Sequence, residues 1–245
     1  MRRLIDFLIY CYLLPLRLSA RLAIYVKGKI LQYDEHYLVA LNVIKRQFPD
    51  ANGIIIDVGA YDADSAIYFA KAMPYLKVIG FEPNPVPFRR AVVNSQNYKN
   101  IEIHNLGFFD KPGEVDFYLT KDDVSSSLFD LETTTESEFD SKIKVRVDTL
   151  DSYFKTTDEI LLIKLDVQGA ELSILKCGTE TLGKTKMVLT EMLIADLYRG
   201  GCHYYELDEV MRRNGFTLHT LFSNYNNEGA KYFDALYLNT NRTIL

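Results

Sequence analysis

The sequence predicts a doubly wound, mostly parallel α/β sheet, and three observations carry that prediction. Short continuous apolar runs, such as "GIIIDVGA" (53–60) and "EILLIKLDV" (159–167), read as strands covered on both faces. Stretches with helical spacing alternate with them along the chain. Four of the apolar runs end in an acid, namely Asp57, Glu82, Asp166 and Glu191. In such sheets ligands sit beyond the carboxyl ends of the strands, at the switch point.

The elements follow in order. Residues 1–50 read as an N-terminal helical segment and 51–245 as the sheet domain. "MRRLIDFLIYCYLLPLRL" resembles a signal peptide, but no small-residue cleavage site follows, and Phe7 to Leu14 is too short for a bilayer, which needs roughly 20 residues. Two readings of residues 1–30 stay open. One is a docking helix against the domain or a second subunit, giving a homo-oligomer. The other is a basic amphipathic segment making peripheral contact with an anionic inner membrane surface. "DEHYLVALNVIKRQFPD" is an amphipathic helix with Tyr37, Leu38, Leu41 and Ile44 on one side, ended by Pro49. After the strand at 53–60 come a helix over 64–73, strand "KVIGF", a helix over 85–96 and strand "IEIHNL". "GEVDFYL" is an added strand after the Lys111-Pro112-Gly113 turn, and a polar loop "DDVSSSLFD" precedes strand "KIKVRV". "EILLIKLDV" and "KMVLTEM" are strands flanking the helical "AELSILKCG". Helix "YYELDEVMRRNGF" and strands "FTLHTLF" and "FDALYLN" close the series.

Composition removes several functions. The chain has 245 residues, 48% hydrophobic and 25% charged, which suits one sizeable core. The net charge is −5, with no clustered basic face, so nucleic acid is set aside as a partner. Residues 1–31 hold six basic side chains and one acid, which leaves the rest strongly acidic. Cys11, Cys177 and Cys202 are odd in number and far apart; they suggest neither a disulfide framework nor a metal knuckle, and fit a reducing cytoplasm.

The strand-end acids point to a ligand. Gly59 lets the chain turn tightly after Asp57 and brings backbone N–H groups close to what binds there. Asp57 could accept from those N–H groups or from a ligand ammonium. Glu82, at the end of the second strand, stands where such folds place a carboxylate for the two hydroxyls of an adenosine ribose. Hydroxyls donate and a carboxylate only accepts, so the match is one of hydrogen-bonding type. The row Gly59-Ala60-Tyr61-Asp62-Ala63-Asp64 keeps only the first glycine of a dinucleotide fingerprint, and its acids would repel a pyrophosphate. A ligand with adenosine, no phosphate and a positive centre suits the turn better, and S-adenosylmethionine is that ligand.

"IIIDVGAYDADSAIYFA", "VIGFEPNPVPFRRAVVN", "VRVDTLDSYF" and "LLIKLDVQGAELSILKCG" together resemble the FkbM family of S-adenosylmethionine-dependent methyltransferases, over roughly residues 53 to 239. The Asp-Val-Gln-Gly-Ala-Glu element is the most specific part. The resemblance implies a class I methyltransferase (Rossmann-like) fold, a seven-stranded sheet whose last strand, "FDALYLN", runs antiparallel. It implies O-methylation of a sugar or of a glycan or natural-product precursor; methylation of a peptide or other small metabolite, and a non-catalytic cofactor-binding subunit, are the alternatives. By the same resemblance Asp57, Gly59, Tyr61 and Glu82 line the cofactor site, Asn84 lies beside it, and Leu106, Gly107 and Phe108 flank the adenine. Phe108 reads equally as core. Ala63 stands where the family carries glycine, which demands a negative φ or some strain.

Methyl transfer to a hydroxyl needs positioning, and a base or a metal to take charge of the proton. Asp166 is the candidate for hydrogen bonding to cofactor or substrate and for the base. Gln168 would orient a substrate hydroxyl, and Gly169 lets the chain turn into the helix. Glu171 suits a first helical turn. Asp166 with Glu191 could instead share a divalent cation, although no His-rich cluster supports a metal site. Tyr198, Arg199, His203, Tyr204 and Tyr205 have the chemistry of carbohydrate recognition, and His203 is the rival base. "SSSLF" at 125–129 is a candidate lid.

Overall fold

The computed structural model describes residues 35–50, 52–122, 124–132, 138–156, 159–223 and 230–241. The basic segment over 1–30, with its two readings, lies outside the described residues. A helix over 35–47 (α1) comes first. Then follow β1 (Ile54–Val58), α2 (Asp64–Ala72), β2 (Lys77–Phe81), α3 (Pro85–Ser95), β3 (Ile101–His104) and β4 (Gly107–Phe108). Next come β5 (Gly113–Thr120), β6 (Phe139–Asp148), α4 (Leu150–Tyr153), β7 (Ile160–Leu165), α5 (Glu171–Lys176) and α6 (Thr179–Gly183). β8 (Thr185–Leu193), α7 (Tyr204–Arg213), β9 (Phe216–Ser223) and β10 (Tyr232–Asn239) complete the series.

The main sheet has seven strands in the order β3-β2-β1-β7-β8-β10-β9. β3, β2, β1, β7 and β8 pair in parallel, and β10 is antiparallel to both neighbours. The strand expected to reverse, "FDALYLN", is the one that does. The chain leaves β1 toward β2 on one side and returns through β7 on the other, so the switch point lies between β1 and β7.

Alternation across the pleat explains the two cores. Ile56, Val58, Ile163, Val188 and Tyr237 point to one face, with Phe81, Phe108, Ile174 and Leu207. Ile55, Leu162, Met187, Leu189 and Leu236 point to the other, against Phe69 of α2 and Met73 just after it. All six residues of β7 are buried, which is why its sequence is apolar apart from Lys164. α1 packs on the second face through Ala40, Leu41, Val43, Ile44 and Phe48. Leu38, expected on that side, is 39% exposed; at helical spacing it falls off the stripe centred on Leu41 and Ile44. Each fully buried aliphatic side chain contributes about 1.5–3 kcal/mol, so this stripe fastens α1 to the sheet domain.

Two features differ from the linear reading. β4 is only two residues long, and it joins β6 and β5 in a separate three-stranded sheet. The "GEVDFYL" strand belongs to that small sheet, paired antiparallel with β6. The "AELSILKCG" helix breaks into α5 and α6 around Gly178, where an added Cβ would stand 2.8 Å from the Leu150 side chain.

Candidate active site

A cavity of about 210 Å³ opens over the carboxyl ends of β1, β2 and β7. Its wall comes from the turn after β1, the Glu82–Asn84 corner, Gly107 and Phe108, the loop residues Val124, Ser126 and Leu128, and Lys164, Asp166, Val167 and Gln168. Tyr37 of α1 joins it from the other face. Phe108 is both: it is 1% exposed within the core, 4.7 Å from the Phe81 ring, and part of the wall.

Gly59 makes the turn possible. Its φ is +77°, and a Cβ there would stand 1.9 Å from the Asp166 carbonyl oxygen. The turn is tied to β2 by the Gly59 and Ala60 N–H groups, which donate to Phe81 O at 3.0 and 2.9 Å. Tyr61 and Ala63 follow at φ 47° and 69°. Ala63 therefore takes the strained option, at a cost on the order of 1–2 kcal/mol for a left-handed residue with a Cβ. No side chain caps α2 there.

Glu82 is anchored by main chain. Its Oε2 accepts from Tyr61 N–H at 3.0 Å and its Oε1 from Asn84 N–H at 2.8 Å. Asn105 holds the strand end by donating to the Glu82 and Pro83 carbonyls, both at 2.9 Å. Asn84 caps α3 by accepting from Val86 N–H at 3.0 Å, with Pro85 at the first helical position. Asp62, expected to repel anions, pairs with Arg90 at 2.7 Å, and that guanidinium lies 5.1 Å from the Tyr61 ring centre.

Beneath the wall lies a buried charge cluster. Lys164 Nζ is 3.2 Å from Asp57 Oδ1 and 3.6 Å from Asp166 Oδ2, and donates to Gly59 O at 3.0 Å. Burial opposes its charge, but the Asp57 and Asp166 carboxylates outweigh that and hold it protonated, above the ordinary lysine range. Asp57 is 1% exposed, takes Ser65 Oγ and Lys164, and is not part of the wall. The direct ligand contact expected of Asp57 is thus corrected: its carboxylate is spent on seating Lys164. Asp166 differs, with 43% of its side chain exposed at the wall.

The Asp166–Glu171 knot is a hydrogen-bonded turn. Gln168 has φ 56°, unusual for a non-glycine residue, and every end of its amide is engaged. Nε2 donates to Asp166 Oδ1 at 2.8 Å and to Glu191 Oε2 at 3.3 Å, and Oε1 accepts from the Tyr198 hydroxyl. The space that a shared cation between Asp166 and Glu191 would need is filled by this amide. Glu171 accepts from Val167 and Gly169 N–H, both at 3.0 Å. Burial pushes Glu171 up to about 7, against those N–H groups and with the Asp166 charge adding. Burial also pushes Glu191 well up, helped by Asp166, Glu171 and Asp234.

The expected substrate set comes together only in part. Gln168 lines the cavity; Glu191, Tyr198, Arg199 and His203 do not. Glu191 lies behind the Gln168 amide. Tyr198 is 5% exposed, its ring packed where a Gly169 Cβ would stand. Arg199 is turned to Asp130 and Glu132, at 3.5 and 3.6 Å. His203 precedes α7, its Nε2 3.1 Å from Asp196 and its Nδ1 3.2 Å from Ile194 O. As the rival base it is therefore displaced from the cavity. Sequence reasoning missed Lys164, whose signal was a single charge inside an apolar strand. It also missed the part taken by Tyr37, which read only as the apolar face of a helix.

An anchored carboxylate at the second strand end, a glycine cradle at the first and a reversed strand within the sheet define a class I S-adenosylmethionine-dependent methyltransferase. The methyltransferase FkbM domain profile matches residues 57–218, and the chain belongs to that family. The 2-O-methyltransferase NoeI of Sinorhizobium fredii (strain NBRC 101917 / NGR234) is 29% identical over 160 residues, 60% of this chain and 66% of that protein. The chain thus spans slightly under two thirds of that relative's length. Among solved structures, the METTL16 MTase domain has the same fold at a TM-score of 0.50 and 10% identity, over 85% of this chain and 67% of that one. Magnesium protoporphyrin IX methyltransferase (ChlM) from Synechocystis PCC 6803 aligns over 84% of this chain and 78% of its own, at a TM-score of 0.49 and 9% identity. S-adenosylmethionine is the cofactor, and the residues fit it: Gly59 leaves room for close approach, and Glu82 offers acceptors to ribose hydroxyls. Among the described residues, no helix is long and apolar enough to cross a membrane.

Proposed function

We propose that this methyltransferase acts on a hydroxyl of a sugar or of a glycan precursor. The observation that carries the reading is the half-exposed Asp166 carboxylate, in the same cavity wall as Glu82 and on the far side of the Gly59 turn. The name of the NoeI relative, a 2-O-methyltransferase, supports an oxygen acceptor. S-adenosylmethionine supplies a methyl group made electrophilic by its sulfonium. Glu82 holds the ribose at one end. Asp166 accepts a hydrogen bond from the acceptor hydroxyl and takes its proton as the new carbon–oxygen bond forms and the carbon–sulfur bond breaks. Gln168 fixes the orientation of that carboxylate. Lys164 balances the charge of Asp57 and Asp166 before the proton arrives. Val124, Ser126 and Leu128 add a loop to the wall of the same cavity.

The test is transfer of a labelled methyl group to a panel of saccharides, run beside a panel of peptides and small metabolites. Label entering the saccharides supports the reading; label entering only the other panel overturns it. Asp166→Asn should fold, still bind S-adenosylhomocysteine measurably, and lose at least about 100-fold in turnover. Near-normal turnover would remove Asp166 as the base.

A further inference from the structure

α1 precedes the residues that carry the family match, which begin at 57. Its Tyr37 nevertheless forms part of the cavity wall. The ring is held on three sides: Phe69 and Tyr68 of α2 lie at 5.6 and 5.7 Å, and His36 lies edge-on at 4.0 Å. His36 in turn is 3.8 Å from Asp234 on β10. The helix therefore clamps Tyr37 over the β7 side of the switch point. Among the described residues the Tyr37 hydroxyl makes no hydrogen bond. A phenol so placed is only partly buried and lines the cavity, so its hydroxyl can take a ligand as its partner. Burial pushes it up to about 12, with Lys164 opposing and Asp57, Asp166 and Asp234 adding, so at neutral pH it is a donor.

The order of strands says which end of the cofactor it meets. Glu82 at the end of β2 receives the ribose, and Gly107 and Phe108 stand in the wall beside it, against Pro83 and Phe81. The amino-acid end then lies over the Gly59 turn and β7, which is where Tyr37 and Lys164 line the wall. That stretch otherwise presents carboxylates, Asp64 and Asp166, which suit the ligand's ammonium but repel its carboxylate. We propose that Tyr37 completes the cofactor site by donating a hydrogen bond from its hydroxyl to the amino-acid carboxylate of S-adenosylmethionine, beside the Lys164 ammonium. The segment before the family domain is then part of the active site. The proposal does not depend on which acceptor is methylated.

The experiment is calorimetric titration of the full chain and of Tyr37→Phe with two ligands. S-adenosylhomocysteine carries the amino-acid group; methylthioadenosine lacks it. The variant should bind S-adenosylhomocysteine about tenfold more weakly and methylthioadenosine within about twofold of the unaltered protein. Unchanged S-adenosylhomocysteine binding, or equal loss for both ligands, overturns the assignment. A fluorotyrosine at position 37 gives a readout that needs no ring-edge deletion. Its fluorine resonance should move with S-adenosylhomocysteine and stay with methylthioadenosine; an equal response to both, or none, also overturns the proposal.

Discussion

Glu82 is aimed by the backbone before any ligand arrives. Two N–H groups, from Tyr61 and Asn84, each take one of its oxygens, so ordering the carboxylate costs little at the moment of binding. Removing it harms twice: the ribose loses its acceptor, and the two N–H groups lose their partner in a largely buried corner. Glu82→Ala should weaken S-adenosylhomocysteine binding at least about tenfold, read by calorimetry. Unchanged affinity in a folded variant would remove Glu82 from the site. Lys164 teaches a different lesson at this scale. Its isolated charge inside an apolar strand was visible in the sequence, but its three partners come from β1, the turn after it and the end of β7. The polar side chains of Arg199 and His203 were equally visible, but loop acids at 130, 132 and 196 lie beside them outside the cavity.

At the scale of elements, the turn after β1 is the least tolerant piece of the molecule. Gly59 combines a left-handed φ with a main-chain oxygen 1.9 Å from any added Cβ. The oxygen belongs to Asp166, so relief must move the acid that is proposed to act in transfer. Gly59→Ala should therefore lower the melting temperature and the cofactor affinity together; a variant with both unchanged would show that the turn is not rigid. The parallel strands were legible because strands covered on both faces need mostly apolar runs, as in β1, β2 and β7, where Asp57 and Lys164 are the charges inside. β4 was not, since two residues carry no periodicity, and its pairing to β6 is set by tertiary contact. That Gly59, Tyr61, Glu82 and Asn84 line the cavity was legible because each falls within a few residues of a strand's carboxyl end. The acceptor side was not, because it depends on which of several polar residues near 198–205 turn inward.

For the whole molecule, the buried acids near β7, β8 and β10 set a pH dependence. Glu171 and Asp234 are pushed up to about 7 from ordinary values of 4.5 and 3.8, in each case first by burial. Between those limits the folded protein holds protons that the unfolded chain has released, so this stability is full below the ordinary values and is lost as pH rises through 7. His36 works the other way, pushed down to about 4 from 6.5 by burial and Lys164, and its change is largely over by pH 6.5. The melting temperature should therefore fall between pH 6.5 and 8, with about 1 kcal/mol lost per acid, and Asp234→Asn should flatten part of the fall. A level profile, or an identical slope in that variant, would contradict the buried-acid account. The reversed strand has a consequence for synthesis on the ribosome. Among the described residues β9 pairs within the sheet only with β10, which joins it to β8. As the nascent chain emerges, β9 arrives with no neighbour to pair with and has to wait, its edge open, until residues 232–239 clear the exit tunnel and slide between two strands already made.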